Sequence, residues 1–120
     1  MSSSLSARPS IFSRIIAREI PATIYAETER VIAFADVAPK APVHILVVPK
    51  TEKYRTVSEL AASDPQLLAE MVAMASQLAE EHANGDFRLV FNSGAMAGQT
   101  VFHVHAHVLA GGLGEDSLGN

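Results

Sequence analysis

The chain has 120 residues, 48% of them hydrophobic, a formal net charge of -4 and no cysteine. That length and apolar content support one domain with an unstapled core, and the missing cysteines remove disulfides, thiolate nucleophiles and Cys-ligated zinc together. An acidic balance without clustered Lys or Arg argues against nucleic acid as a partner, and no stretch offers a signal-peptide core or the ~20 apolar residues of a membrane helix, so a soluble cytoplasmic protein is expected.

Residues 1–9 read as a flexible Ser-rich leader. Ser10 can cap a short helix over Ile11 to Arg18, with Ile11, Phe12 and Ile15 on its buried side, and Ile20-Pro21 stops it. Thr23 to Glu27 and Arg30 to Ala35 are β-prone runs around the polar pair Thr28-Glu29, which predicts a hairpin ending at Asp36. A proline-fixed loop, Ala38 to Pro42, leads into Val43 to Val48, an apolar run expected to be covered on both faces, with His44 its one polar residue.

Thr56-Val57-Ser58-Glu59 has the form of a capping box for a short helix through Ala62. A longer helix is predicted from Ser63 or Asp64, with Pro65 at its first position. Leu67, Leu68, Met71, Val72, Ala75, Leu78 and Ala79 form its apolar stripe, and Asn84-Gly85 its left-handed stop. Phe87 to Phe91 predicts a further strand, and residues 113–120 a flexible Gly-rich tail. Helices and strands in this order with short links indicate an α+β fold with a mainly antiparallel sheet.

Between Phe91 and the tail the chemistry concentrates. In Val101 to Leu109 three of the five histidines alternate with apolar residues, so an extended strand would place His103, His105 and His107 on one face and Val104, Ala106 and Val108 on the other. Such a row could be solvated residues on an outer face, a zinc-binding pair, or imidazoles acting as nucleophile and acid or base. Same-face Cα atoms lie ~6.6 Å apart, which disfavours all three converging on one ion. The preceding loop, Asn92 to Thr100, combines an amide, two glycines and a hydroxyl, suited to bringing N–H groups near an anion.

Asn92, Gly98-Gln99-Thr100 and His103-Val104-His105-Ala106-His107-Val108 closely resemble the histidine triad (HIT) family, in its nucleotide-binding-protein branch. Ser10 to Ile16, Glu19 to Ala22, Phe34 to Pro39 and Ala41 to Lys50 resemble further segments of that family in order, so that residues 10–112 would form the HIT domain. The resemblance implies a homodimer with the sheet continued across its two-fold axis, and an AMP-type purine nucleotide as ligand. His105 would be the nucleophile on the α-phosphorus of a nucleoside 5′-phosphoramidate, forming a nucleotidyl-imidazole. Thr100 and His107 would protonate the leaving amine. Asn92, the Gly98 N–H, Gln99 and His103 would hold phosphate or orient the triad, with His44 polarising a neighbouring imidazole.

Asp36 would accept from the ribose hydroxyls, and Ile11, Phe12, Ile15, Ile20, Phe34 and Val37 would line the purine slot. Thr100 stands where the family usually has serine. Some relatives bind structural zinc through two cysteines at positions 10 and 13, a histidine at position 52 and a triad histidine. This chain has Ser10, Ser13 and Glu52 there, so neither zinc nor another cofactor is expected. Hydrolysis of dinucleoside polyphosphates, or nucleotide sensing without turnover, are the competing functions.

Overall fold

The computed structural model describes residues 9–117, built on a five-stranded sheet in the order β1-β2-β3-β5-β4 in which every neighbouring pair is antiparallel. The strands are β1 (Ile24–Glu27), β2 (Val31–Ala35), β3 (Val43–Pro49), β4 (Arg88–Val90) and β5 (Ala106–Ala110), and the helices are α1 (Ile11–Ile16), α2 (Val57–Ser63) and α3 (Pro65–Ala83). The leader expected over 1–9 falls outside the described residues except for Pro9, as do 118–120 of the expected tail. Residues 115–117 form a single 3-10 turn, and Arg88 Nη2 donates to Gly114 O at 2.7 Å. No described helix is long and apolar enough to cross a membrane.

Strand β3 organises the sheet because both its faces are apolar. Ile45 and Val47 enter a core shared with α2 and α3, while Leu46 and Val48 enter a second core on the opposite face with Phe12, Ile15, Ile32 and Phe34. Each such buried side chain contributes roughly 1.5–3 kcal/mol relative to exposure. The first core receives Leu60 from α2 and Leu67, Met71, Met74, Ala75 and Leu78 from α3. Val72, expected in that stripe, lies instead on the outer flank of α3, where its neighbours at 71 and 75 already fill the sheet-facing side.

The predicted caps form. Asp64 Oδ1 accepts from Leu67 N at 3.1 Å, Thr56 Oγ1 accepts from Glu59 N at 3.3 Å, and Asn84 ends α3 at φ 54° in the left-handed region. The capping box differs in one bond, since the Glu59 carboxylate accepts from Arg55 N rather than from the cap residue. Helix α1 is shorter than predicted, ending at Ile16, with Arg18 at φ 64° turning the chain toward β1. Its Ile11 is exposed, because a six-residue helix lying on a sheet buries one stripe, here Phe12 and Ile15.

Two strand predictions are corrected. The fourth strand spans only Arg88–Val90, and the histidine strand starts at Ala106 rather than Val101. Residues 101–105 lie outside the ladder, whose last β3–β5 pair is Val47↔Ala106. The period of two persists through them nonetheless, with Val104, Ala106 and Val108 in the α3-side core and His103 and His105 against Phe12 on the other side.

Candidate active site

Four histidines meet on the α1 side of the sheet. His44 stands opposite Leu109 and His107 opposite Leu46 in the β3–β5 ladder, which brings the two rings to a centroid separation of 5.2 Å. His105 lies 5.2 Å from His107 in an edge arrangement, and Phe12 packs edge-on against His105 at 4.8 Å and His103 at 5.7 Å. His103, His105 and His44 are buried and His107 is half-buried. The solvated-row reading is thereby excluded.

Their partners assign every proton. Pro49 O, which can only accept, lies 2.8 Å from His103 Nε2, so that nitrogen carries hydrogen and Nδ1 accepts from Ser10 Oγ at 2.6 Å. His105 Nδ1 donates to His103 O at 2.9 Å, leaving the lone pair on His105 Nε2. Lys40 N donates to His44 Nδ1 at 2.9 Å, so His44 Nε2 carries hydrogen and donates to His107 Nδ1 at 2.9 Å. His107 therefore carries its own hydrogen on Nε2. One imidazole presents a lone pair and its neighbour an N–H, which is what in-line attack and leaving-group protonation require.

Burial keeps all four rings neutral. Desolvation pushes the pKa of His105 down against the opposing influences of the His103 carbonyl and Asp36. The same cause lowers His44 and His103, opposed respectively by Asp36 and by Pro49 O with Glu52. Burial, with His105 and His44 close by, brings His107 to about 4. A neutral nucleophile is active and a protonated one is not, so activity is lost only as pH falls through the depressed value. The acid limb of kcat/KM is therefore expected at lower pH than the ~6.5 of a solvated imidazole. A rate profile from pH 4.5 to 8 checks this, and a midpoint at or above 6.5 would contradict the neutral, buried site.

Asp36 faces the histidines. Its Oδ1 accepts from Ala38 N at 2.8 Å, an Asx turn that fixes the side chain, and Oδ2 lies 3.4 Å from His44 Nε2. A shallow depression lined by Pro21, Ala22, Thr23, Ala35, Asp36 and Val37 adjoins it. Of the expected purine slot, Ile11 and Val37 are exposed and Ile20 is half-buried. Phe12, Ile15 and Phe34 are core residues beneath them.

The Asn92–Thr100 loop is built differently from expectation. Gly98 N donates to Ala95 O at 3.0 Å, closing a 3-10 turn, so the amide expected to face a phosphate is engaged within the loop. Gln99 is buried, its Nε2 donating to Arg55 O at 2.7 Å and Val101 O at 3.0 Å and its Oε1 accepting from Gly94 N at 2.8 Å. It braces the loop rather than offering its amide to a ligand. Asn92 Nδ2 donates to Ala97 O at 2.9 Å, and Thr100 is exposed beside the first of the unpaired residues leading to His105.

Among the described residues, two sets invite a metal. The positions that bind zinc in some relatives do converge here, with Ser10 N donating to Glu52 Oε2 at 3.0 Å and the Ser10 and Ser13 hydroxyls 3.4 Å apart beside His103. They do not fit zinc, because neutral hydroxyls replace its usual N and S ligands and His103 Nδ1 already accepts from Ser10. Asp36, His44 and His107 also place one donor atom each within 4.8 Å of one another. A cation there would have to take the His44 Nε2 that carries hydrogen, turning His44 Nδ1–H against the Lys40 N–H. Neither set is suited to a metal as it stands.

Sequence reasoning missed the Pro49 carbonyl and the Lys40 N–H, since main-chain groups carry no residue signature. Ser10 was legible as a helix cap and, with Glu52, as a departure from a zinc pattern, but not as a partner of His103.

The family model described as the C-terminal binding region of the scavenger mRNA decapping enzyme matches residues 9–119. An uncharacterized HIT-like protein of Synechocystis is 47% identical over 109 residues, covering 88% of this chain and 92% of its own. This chain belongs to the HIT family. Among HIT relatives, the purine nucleoside phosphoramidase of Escherichia coli K12 is 40% identical over 107 residues, with 88% of this chain and 89% of that one covered. The crystal structure of a HIT family hydrolase from Legionella pneumophila superposes with a TM-score of 0.85 at 35% identity, covering 92% of this chain and all of the other. The HIT fold thus spans most of this chain.

Proposed function

We propose that this HIT protein is a purine nucleotide hydrolase that cleaves the P–N bond of nucleoside 5′-phosphoramidates. The observation that carries the reading is the His105 Nε2 lone pair, held by the bond from Nδ1–H to His103 O and flanked by the His107 ring. Nε2 attacks the α-phosphorus, forming a P–N bond to the imidazole as the bond to the amine breaks. A proton from solvent passes to the departing amine through the Thr100 hydroxyl or the His107 Nε2–H, so neither side chain ends the step charged. The resulting imidazolium keeps Nδ1–H on the His103 carbonyl, which favours the developing positive charge. Water then attacks the nucleotidyl-His105 adduct, returns the proton to solvent and releases the nucleoside monophosphate.

Asn92 meets the phosphate in this reading, Asp36 accepts from the ribose diol, and Ile11 and Val37 offer the base exposed apolar surface. The kinship with the E. coli phosphoramidase supports the P–N substrate class. A homodimer fits the position of β4 as a terminal strand of the sheet, and a cytoplasmic setting fits a cysteine-free chain.

A panel of adenosine 5′-phosphoramidates, aminoacyl adenylates and dinucleoside polyphosphates tests the substrate, with sedimentation equilibrium reading the assembly state. Fastest release of AMP from the phosphoramidates is expected. Preference for polyphosphates would replace the P–N assignment, and tight AMP binding without turnover of any compound would make the protein a nucleotide sensor.

A further inference from the structure

The nucleophile's hydrogen-bond partner lies in a part of the chain that the sheet does not hold. The β3–β5 ladder stops at Ala106, yet the carbonyl that receives His105 Nδ1–H belongs to His103, three residues before it. Residues 101–105 have no strand pairing; their main chain is held by Val104 N donating to Tyr54 O at 3.0 Å and by Val101 O accepting from Gln99 Nε2 at 3.0 Å. His103 itself is fully buried and gripped at both ring nitrogens, by Pro49 O at the end of β3 and by the Ser10 hydroxyl at the start of α1.

Ser10 performs two tasks with one oxygen. It accepts from Ser13 N at 3.0 Å, which caps α1, and it donates its single hydrogen to His103 Nδ1 at 2.6 Å. Ser13 Oγ, 3.4 Å away, must then donate to Ser10 Oγ rather than receive from it. Glu52 accepts from Ser10 N at 3.0 Å and so anchors the whole turn. The ring of His103 cannot rotate without breaking both bonds, and it cannot change tautomer without losing the one to Pro49 O and reversing the one to Ser10.

We propose that Ser10 is a positioning residue for the nucleophile. By donating to His103 Nδ1 it locks the His103 ring, and with it the carbonyl that keeps the hydrogen of His105 on Nδ1 and the lone pair on Nε2. The assignment rests on the phosphoramidase reading for its kinetic consequence and on hydrogen-bond geometry alone for its structural one. Removing the donor frees the 101–105 segment and lets His105 sample the tautomer whose lone pair faces away from phosphorus. The loss belongs to the chemical step, because Ser10 is not among the groups assigned to the nucleotide.

Ser10→Gly removes the hydroxyl while keeping a residue well tolerated at a helix start, and Ser10→Thr restores both donor and cap. The expected result for Ser10→Gly is a fall in kcat of about tenfold or more with little change in KM, reversed in Ser10→Thr. Nitrogen-15 spectra of the imidazoles supply the second reading without any substrate. In wild type His103 should be protonated only at Nε2 and His105 only at Nδ1; in Ser10→Gly the His105 Nδ1–H signal should weaken or broaden through solvent exchange. Wild-type kcat in Ser10→Gly, an unchanged His105 signal, failure of threonine to restore, or a wild-type His103 protonated at Nδ1 would each overturn the assignment. The last measurement stands even if the glycine variant does not fold. Inactivity of wild type toward phosphoramidates would overturn the substrate class instead, leaving the spectra to decide Ser10.

Discussion

His105→Asn is expected to lower kcat by about ten-thousand-fold or more while leaving AMP affinity within a few-fold of wild type. The magnitude follows from removing the group that makes the covalent bond, after which only binding and the surrounding donors remain. Asparagine approximates the imidazole in size and polarity and can still reach the His103 carbonyl through its amide N–H, so the buried acceptor need not be left unpaired. Base, ribose and phosphate contacts lie on other residues in the proposed reading, which is why binding should survive. Rapid quenching of a radiolabelled phosphoramidate reaction should trap nucleotide on wild type and none on the variant. Covalent label that persists after the substitution would move the nucleophile elsewhere.

Phe34→Ala is the largest expected change in stability. Phe34 is 2% exposed on β2, opposite Ile24 on one side and Leu46 on the other, with the Phe12 ring 5.7 Å away. Truncating a buried phenylalanine typically costs about 3–5 kcal/mol, the sum of lost transfer energy and a cavity that rigid neighbours cannot fill. The second core is small, so little else there can close the gap. Urea unfolding should show a lower midpoint with an unchanged slope. A loss under ~1 kcal/mol would mean that Phe34 is not a core residue but an open wall of the purine slot. Because Phe12 packs on both Phe34 and His105, kcat should fall modestly as well, through a looser α1 rather than through any contact with substrate.

The elements legible in the sequence were those whose information is local. Helix α3 announces itself through an apolar stripe, a cap at Asp64 and a left-handed stop at Asn84, and each works within a few residues of itself. The alternation in 101–108 correctly separated the core valines from the histidines even where the strand was mispredicted, because the face of an extended residue depends on backbone alternation and not on ladder pairing. Strand limits were less legible. Phe87 and Phe91 are β-prone but fall outside β4, since a strand ends where its partner does and that partner is distant in sequence.

At the site, the sequence by itself determined which side chains were available: four histidines, an aspartate and two serines within reach of histidine chemistry. Only the tertiary structure decided what each could do. The tautomers of His44 and His103 depend on the Lys40 N–H, the Pro49 carbonyl and the Ser10 hydroxyl, groups supplied by loops and strand ends up to 93 residues away along the chain. Tautomer dictates whether an imidazole nitrogen attacks or donates, and burial dictates whether it is neutral when it does so. Gln99 and the Gly98 N–H show the converse, residues of the right type whose polar groups the folded loop had already engaged. Residue identity is a property of the sequence, whereas the direction of a lone pair is set by whichever hydrogen-bond partner the fold brings to the other nitrogen of the ring.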